Sequence, residues 1–444
     1  MDWRSIIFKN TLRSLRRYLG YLLASAVAVT VFFMFAAFVD NPAVQHGYTT
    51  RTAAELLMIC RVIVALFAVF FIFYFHAALI RMRNKEFGLL ITLGVTPRHI
   101  GMMIFNESIL IGISALIAGI VFGIGCTQVF LWAMSSILAL PSTLPFALPV
   151  SALLTTLIFF GIVFLMDAWM LAWRVMRRAP RSLILGVRAR QAPPRVSLFL
   201  IVLGLLCIGV AYDLALQFSI LVLLTMIPII GLTIIGTYFV FSQVCVLLLR
   251  QLRKCALHGV SLLIVSRLSY RVRDYARMMT VVTVLNAMVL TGMGAVFGVL
   301  RMVQVDTLHS NKTEVEQVLS VMLFAGFFVS CLFFLAAGSS IYFKLFNQQE
   351  EDQRQFQALA RIGMCKRETE RILTRELLLL FFVPVALGIL HGGVAMLDLA
   401  NLLNAYSIVL PAFGWICLVY IACFAIYFAI ALLNYTKRVR TAII

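Results

Sequence analysis

Residues 81–107 read RMRNKEFGLLITLGVTPRHIGMMIFNE, and they connect two long apolar runs of the chain. Phe87, Leu90 and Leu93 recur three residues apart, the spacing of one helical face. Gly94 follows them directly, and a glycine at this position is typical of a helix end. The stretch therefore predicts a helix that leaves the membrane, turns, and presents an apolar stripe to a partner protein. We call residues 81–107 the first docking element.

The same pattern returns near the end of the chain, where residues 350–376 read EEDQRQFQALARIGMCKRETERILTRE. Phe356, Leu359 and Ile362 take the stripe positions and Gly363 takes the glycine position, each 269 residues after its counterpart. Residues 350–376 are therefore a second docking element in the same register. The first element also carries charged residues that are candidates for polar contacts with the partner: Arg83, Lys85 and Glu86.

The composition is that of an integral membrane protein, because 63% of the 444 residues are apolar and only 12% are charged. Charges cluster between apolar runs, and a run of about 18 or more apolar residues is typical of a membrane-spanning helix. The sequence therefore predicts an all-α fold with ten spans, at 19–39, 57–80, 108–134, 148–173, 196–212, 219–249, 278–303, 317–343, 377–397 and 408–433.

The positive charges indicate the orientation of these spans, because Lys and Arg concentrate in segments on the cytoplasmic side. All but four of the 37 Lys and Arg residues fall in one alternating set of connecting segments, which includes both docking elements and both termini. Both termini are therefore predicted to face the cytoplasm. The net charge of +19 is spread over all of these segments. That distribution favours a topological origin over a nucleic-acid-binding patch, so we expect no nucleic acid as a partner.

A wider repeat surrounds the docking elements. The stretch FKNTLRSLRRYLGYL, from Phe8, has a counterpart in IVSRLSYRVRDYARMM, from Ile264. Both are rich in arginine and fit helices that lie on the inner membrane surface before a span begins. We expect a first four-helix module over residues 1–173, a linker with two spans over 174–263, and a second four-helix module over 264–444.

The first docking element also resembles a known family. Its K-E-x-G-L-L-x-x-L-G segment, from Lys85 to Gly94, followed by Glu107, is similar to the FtsX-like permease domain of ABC transporters. The ten spans and the stretch AAGSSIYFKLFNQQEEDQRQFQALARIGM, residues 336–364, are similar to the bacitracin-export permease (BceB) group. The resemblance implies two FtsX-like four-helix modules joined by a helix pair.

The resemblance implies that a separate ABC ATPase homodimer docks on the two elements, and that ATP and Mg are bound by this partner. No cofactor is then expected on this chain. The sequence agrees, since it has no G-x-x-x-x-G-K-[ST] phosphate loop, G-x-S-x-G or H-E-x-x-H motif. We therefore expect a membrane subunit that is not an enzyme. Gln355 stands where the first element has Glu86, so the two ATPase protomers would meet different surfaces.

The implied function is the export, release or sensing of an amphipathic or lipid-linked ligand, with resistance to antimicrobial peptides as one form of it. Members of the resembled group carry a large extracellular domain between spans seven and eight. Here that connection, Val305–Glu316, is too short to fold as a domain. Two alternatives remain open. One is a lipoprotein-release or macrolide-type efflux permease. The other is a scaffold that passes ATPase motion to a sensor histidine kinase or a cell-wall enzyme.

Ionisable residues inside the spans are further candidates for function, because a charge at membrane depth is costly. Arg61 lies near the outer end of the second span, where we expect contact with lipid headgroups. Asp167 lies near the inner end of the fourth span, and we expect a structural ion pair with Arg174 and Arg177.

Two histidines, His76 and His391, are candidates for substrate binding or for hydrogen bonds between helices, which is the commoner role of a lone histidine in a helix bundle. The nine cysteines form no C-x-x-C pair. Cys255 and His258 are only two ligands, so we expect neither a disulfide framework nor a metal site.

Overall fold

The computed structural model describes residues 15–42, 51–137, 149–177, 196–217, 222–247, 251, 260–306 and 312–440. These residues are almost entirely helical and contain no β-strand. Their long helices are α1 Leu15–Val39, α2 Arg51–Thr92, α3 Pro97–Ile137, α4 Val150–Met176, α5 Leu198–Leu216, α6 Val222–Phe239, α7 Val260–Asp306, α8 Lys312–Arg361, α9 Lys366–Leu402 and α10 Tyr406–Arg440. A π-helical turn, Val240–Val244, follows α6.

Ten helices of the described part of the chain are long and apolar enough to cross a membrane, which confirms the ten predicted spans and the all-α class. The third and ninth spans differ most from their predictions, since they begin eleven residues earlier, at Pro97 and Lys366. The fifth span continues past Asp213 to Leu216. The side chain of Gln217 donates to the Asp213 carboxylate at 2.8 Å, so the acid is satisfied at the end of the helix. The sixth span covers Pro228–Leu247 and begins later than predicted.

Several helices are much longer than the membrane is thick. α8 has 50 residues, which corresponds to about 75 Å at 1.5 Å per residue. The hydrocarbon core of a bilayer is roughly 30 Å thick. α2 has 42 residues and ends inside the first docking element. Both docking elements are therefore continuations of membrane helices beyond the bilayer.

The chain divides into two compact units, and unit 1 contains residues 1–190 and 311–325. Its helices α1 to α4 form a bundle in which α1 contacts the other three. α1 and α3 approach closely at Gly119, where a Cβ would lie 2.6 Å from the Cβ of Val29. Thr30 also donates to the Gly119 carbonyl at 2.9 Å. A glycine is therefore required for this contact.

Unit 2 contains residues 191–310 and 326–444. In it α7 packs against α9 and α10, and α5 packs against α6. α7 and α9 approach closely at Gly388, where a Cβ would lie 2.7 Å from the Cβ of Asn286. The first and third helices of the repeat are thus in close contact in both units. The domain boundaries proposed from the sequence, and the cytoplasmic location of both termini, remain predictions.

Candidate docking site

The first docking element is a helical hairpin whose turn is built around Gly94. This glycine adopts φ 91°, in the left-handed region that glycine tolerates best. The amide of Val95 donates to the carbonyl of Leu90, and the amide of Gly94 donates to the carbonyl of Ile91, both at 3.0 Å. These two bonds form a Schellman motif, which satisfies the last carbonyls of α2. The chain then enters α3 at Pro97.

The second docking element ends in the same motif. Gly363 adopts φ 100°. The amide of Met364 donates to the carbonyl of Leu359 at 3.2 Å, and the amide of Gly363 donates to the carbonyl of Ala360 at 3.0 Å. The hydrogen bonds match those of the first element position by position. The repeated glycine therefore has a defined structural cause in both elements.

The predicted apolar stripes are not single outward surfaces. Phe87 and Phe356 are each fully buried, so the prediction that these rings are exposed anchors for a partner is wrong. Phe87 packs inside its own unit, against Ile80, Ile100, Ile104, Leu171 and Val175. The middle residues of the stripes, Leu90 and Leu359, are partly buried. The cause is the rotation of about 100° between successive residues of a helix. The first and last residues of each stripe are six positions apart, so they lie on faces roughly 120° apart.

The exposed apolar surface lies nearer the turns. In the first element it consists of three residues that are 62%, 73% and 67% exposed, namely Leu89, Leu93 and Met102. We call these residues the first tip. The positions 269 residues later form the second tip, which is also exposed and consists of Ala358, Ile362 and Arg371. The first tip is therefore the more apolar of the two.

The charged residues predicted to contact a partner behave differently from one another. Arg83 is only 4% exposed, so it cannot reach a docked protein, which corrects that prediction. Glu86 is half-exposed, and its carboxylate lies 3.0 Å from Arg83 Nε. The Lys85 side chain lies outside the part of the chain that the structure describes. Glu86 is therefore the residue of this group that the structure places in reach of a partner.

A charged cluster lies beneath each tip. In unit 1 the buried Arg83 guanidinium lies over the Phe87 ring, with its Cζ 5.0 Å from the ring centroid. Its Nη1 donates to Glu107 Oε2 on α3 at 2.5 Å. We call Arg83, Phe87 and Glu107 the first charged cluster, and it ties the two helices of the hairpin together.

The second charged cluster consists of Arg267, Asp352, Phe356 and Glu376. The Arg267 guanidinium lies over the Phe356 ring, with its Cζ 4.5 Å from the centroid. Its Nη2 lies 2.5 Å from Asp352 Oδ1, and its Nε lies 3.0 Å from Glu376 Oε2. All four side chains are buried or nearly so. This cluster joins α7 to both helices of the second hairpin.

Two tyrosines complete the second cluster. Tyr275 on α7 donates to Glu376 Oε1 at 2.7 Å, and Tyr435 on α10 donates to Asp352 Oδ2 at 2.5 Å. A cavity of about 10 Å³ adjoins these four side chains, which is about the space that one water molecule needs. Sequence reasoning missed Arg267, which lies inside a stretch interpreted as a surface helix. The sequence feature that could have indicated it is Asp352, an acid at the position that corresponds to Arg83 in the repeat.

Near the predicted outer membrane face, Arg61 forms an ion pair with another side chain of unit 1. Its Nη1 donates to Asp40 Oδ1 at 3.0 Å. Ser151 donates to the other oxygen of the same carboxylate, also at 3.0 Å. This ion pair links α2 to the end of α1 and the start of α4. The expected contact of Arg61 with lipid headgroups stays a prediction.

Asp167 has different partners from those expected. Its Oδ2 accepts a hydrogen bond from Tyr21 at 3.1 Å and contacts Nδ1 of His76. Arg174 instead lies 2.9 Å from the sulfur of Met170, and Arg177 stacks on a tryptophan. The predicted ion pair with the two arginines is therefore wrong. They lie seven and ten positions further along the helix, about 10 and 15 Å away, whereas His76 faces Asp167 from α2.

Ser108, His76 and Asp167 together have the connectivity of a hydrolase triad. Ser108 Oγ lies 3.1 Å from His76 Nε2, and Asp167 lies at Nδ1. However, Ser108 is only 4% exposed, and its hydroxyl donates to the carbonyl of Ile104 at 2.7 Å. A substrate has no access to this oxygen. The group therefore acts as a polar connection among α2, α3 and α4, and Tyr21 extends it to α1.

His391 lies on α9 and forms hydrogen bonds with two other helices of unit 2. Its Nδ1 lies 2.6 Å from the Tyr212 hydroxyl on α5, and its Nε2 lies 3.0 Å from the Thr237 hydroxyl on α6. This is the interhelical bonding expected of a lone histidine. Both ring nitrogens are occupied, so a ligand would first have to displace one of the hydroxyl groups.

Comparison with known proteins shows which family part of this chain matches. Residues 58–180, which run from within α2 through the first docking element to just beyond α4, match the FtsX-like permease C-terminal family. The chain is 33% identical over 303 residues to YvcS of Bacillus subtilis, an uncharacterised ABC transporter permease, covering 67% of this chain and 47% of that protein. It is 32% identical over 297 residues to the ABC transporter permease YxdM of the same organism, covering 66% and 47%.

A more distant relative is the bacitracin export permease BceB of Halalkalibacterium halodurans, 24% identical over 336 residues, covering 72% of this chain and 50% of that protein. The chain thus spans about half the length of these relatives. Residues 58–180 form an FtsX-like permease domain, and the chain is a multi-pass membrane protein homologous to bacterial ABC transporter permeases.

Proposed function

We propose that the chain is the membrane subunit of an ABC transporter, and that a separate ATPase homodimer docks on its two hairpins. The observation that carries this proposal is the repeated hairpin. Two elements in one register end in the same glycine turn and expose an apolar side chain just before it, Leu93 and Ile362. One chain thereby offers each protomer of a twofold ATPase its own site. ATP and Mg belong to that partner.

The names of the relatives support a class of ligand. One relative is named a bacitracin export permease, which supports an amphipathic or lipid-linked ligand and a role in resistance to antimicrobial peptides. In this scheme hydrolysis by the ATPase moves the hairpins, and the long helices α2 and α8 carry the motion through the membrane. A signalling role alongside a sensor kinase uses the same docking sites and differs only in what the motion achieves.

Site-specific photocrosslinking tests the docking proposal. A photoreactive amino acid at position 93 or 362 is expected to crosslink an ABC ATPase in cells that express the full chain. The matched control is position 66, because Leu66 is exposed to a similar degree, 66%, but lies inside a span. The proposal fails if neither hairpin position yields an ATPase adduct while the variants remain in the membrane.

Substitutions at the tips and in the core should separate docking from folding. Leu93→Ser and Ile362→Ser are expected to weaken capture of the ATPase without lowering the melting temperature of the permease in detergent. Leu93→Ser should have the larger effect because its neighbours in the first tip are apolar. Phe87→Ala instead removes a buried ring, which typically costs about 3–5 kcal/mol of folding free energy. Lower stability with unchanged affinity of the folded fraction is the expected result for that variant.

A further inference from the structure

Each docking element is supported by one buried arginine that lies over a buried phenylalanine and pairs with a glutamate on the second helix of the hairpin. Arg83 serves Phe87 and Glu107, and Arg267 serves Phe356 and Glu376. The two phenylalanines are 269 residues apart, and so are the two glutamates, so both occupy equivalent positions in the repeat. An arginine guanidinium therefore occupies the same place in both units.

The two arginines are not equivalent in the repeat. The position that corresponds to Arg83 is Asp352, and it bears the opposite charge. In unit 1 the cation belongs to α2, which is a helix of the hairpin itself. In unit 2 the cation belongs to α7, and the hairpin supplies two carboxylates that hold it, Asp352 at 2.5 Å and Glu376 at 3.0 Å.

This difference changes what moves with the hairpin. A buried carboxylate that loses its cation is strongly destabilised, so Arg267 and its two acids are expected to stay together during a conformational change. Tyr275, also on α7, adds a second bond to Glu376. α7 is a single helix of 47 residues that packs along α9 and α10. Displacement of the second hairpin is therefore passed to α7 at its cytoplasmic end.

We propose that Arg267 is the positioning residue through which the second docking element drives α7. This inference rests on the proposed function, because it assumes that an ATPase moves the hairpin. It concerns the second docking site, where the supporting cation comes from the first helix of the module. The second site moves the first helix of its module through a charged contact. Beneath the first site the equivalent cation is part of the hairpin.

The test relocates the cation without removing it. The double variant Arg267→Met with Asp352→Arg places the arginine on α8, the position it has in unit 1, and leaves Glu376 with a cation. Purified chains are reconstituted with the ATPase identified by crosslinking, and thermal stability, ATPase affinity and stimulated ATP hydrolysis are measured. We expect ATPase affinity to remain near wild type, whereas thermal stability should fall because Asp352→Arg removes the acceptor of the buried Tyr435 hydroxyl. The maximal stimulation of hydrolysis should fall by about fivefold or more, the lower range of allosteric coupling.

A single variant and a wild-type measurement complete the design. Arg267→Lys keeps the charge on α7 and should retain more stimulation than the relocated cation. Full stimulation by the relocated cation would show that only local charge balance matters, and the proposal would be wrong. Absence of ATPase binding to the wild-type chain would instead refute the proposed function.

Hydrogen exchange on the wild-type complex tests the coupling of the second docking element to α7 even if the double variant does not fold. ATP with vanadate traps the ATPase, and exchange is followed by mass spectrometry. We expect protection to change in residues 264–279 of α7 together with residues 350–376. A change confined to the second docking element, with α7 unaffected, would overturn the proposal.

Discussion

Asp167 connects three helices of unit 1 through one carboxylate. Tyr21 reaches it from α1 and His76 reaches it from α2, while Asp167 itself lies on α4. The carboxylate is only 4% exposed, so water does not compete for these bonds. Polar groups buried in this way stabilise a fold only while all of them keep their partners. Asp167 is therefore expected to be essential for the stability of the bundle.

Replacement of Asp167 by leucine should destabilise the protein by about 1–3 kcal/mol for each buried polar group that is left without its hydrogen-bond partner. The reason is that His76 and Tyr21 lose their common acceptor. The measurement is thermal unfolding of the detergent-purified chain. Arg174→Gln is the control, because Arg174 does not contact Asp167, and its effect should stay within about 0.5 kcal/mol. Equal effects of the two substitutions would restore the ion pair that the sequence suggested.

At this scale the sequence identifies which residues are unusual but not which residues they contact. Arg61 and Asp167 stand out because charges are rare inside apolar spans. Their partners, Asp40 and His76, lie 21 and 91 positions away in the chain. The rotation of each helix about its own axis decides which residues meet. A single sequence does not contain that rotation.

The turn of each docking element is the element best anticipated from sequence. A glycine directly after a run of helical spacing indicates a left-handed helix end, and both Gly94 and Gly363 adopt that conformation. The apolar stripe agrees less well with the structure. Two successive spacings of three residues, from Phe87 to Leu93, span different faces of the helix. Leu89 and Leu93, four residues apart, share the exposed face. Phe87 lies on the face that the bundle covers.

Gly94→Ala and Gly363→Ala should each destabilise the chain by about 1 kcal/mol, the lower range for an L-residue in the left-handed region. No atom lies within 4 Å of the new Cβ at either position, so the cost comes from the backbone alone. Melting temperatures in detergent provide the measurement. Asparagine at the same positions should cost less, since it tolerates this conformation better.

Gly161→Ala is the matched control, because it lies inside α4 with open space around its Cβ. Alanine in a helix interior is more stable than glycine by roughly 0.5–1 kcal/mol, so this variant should melt at a higher temperature. If all three alanine variants change stability in the same direction, the left-handed turn is not what the glycines provide.

At the scale of the whole molecule the sequence predicted the number of helices and their repeat, because both depend on composition and spacing along the chain. It did not predict the charged clusters, since Arg267 is 85 positions from Asp352 and lies on a helix interpreted as a surface element. The orientation in the membrane remains a prediction from the distribution of Lys and Arg.

Cysteine labelling tests that orientation. Cys365 is exposed at the start of α9, beside the second docking element. In a chain whose other cysteines are replaced, an impermeant maleimide should label Cys365 in inverted membrane vesicles and not in intact cells. A chain with a single cysteine at position 45, predicted to be outside, should show the reverse. Labelling of Cys365 in intact cells contradicts the predicted topology.

The different origin of the buried cation in the two units also limits how their genetic segments can be exchanged. Residue 267 and residue 352 form one pair, because the buried carboxylate at 352 lies against the guanidinium at 267 and is expected to be costly to bury without it. A recombination between the repeats that falls between these two codons would separate the acid from its base. Duplication of either half as a whole would keep each pair intact. The two positions should therefore be inherited together.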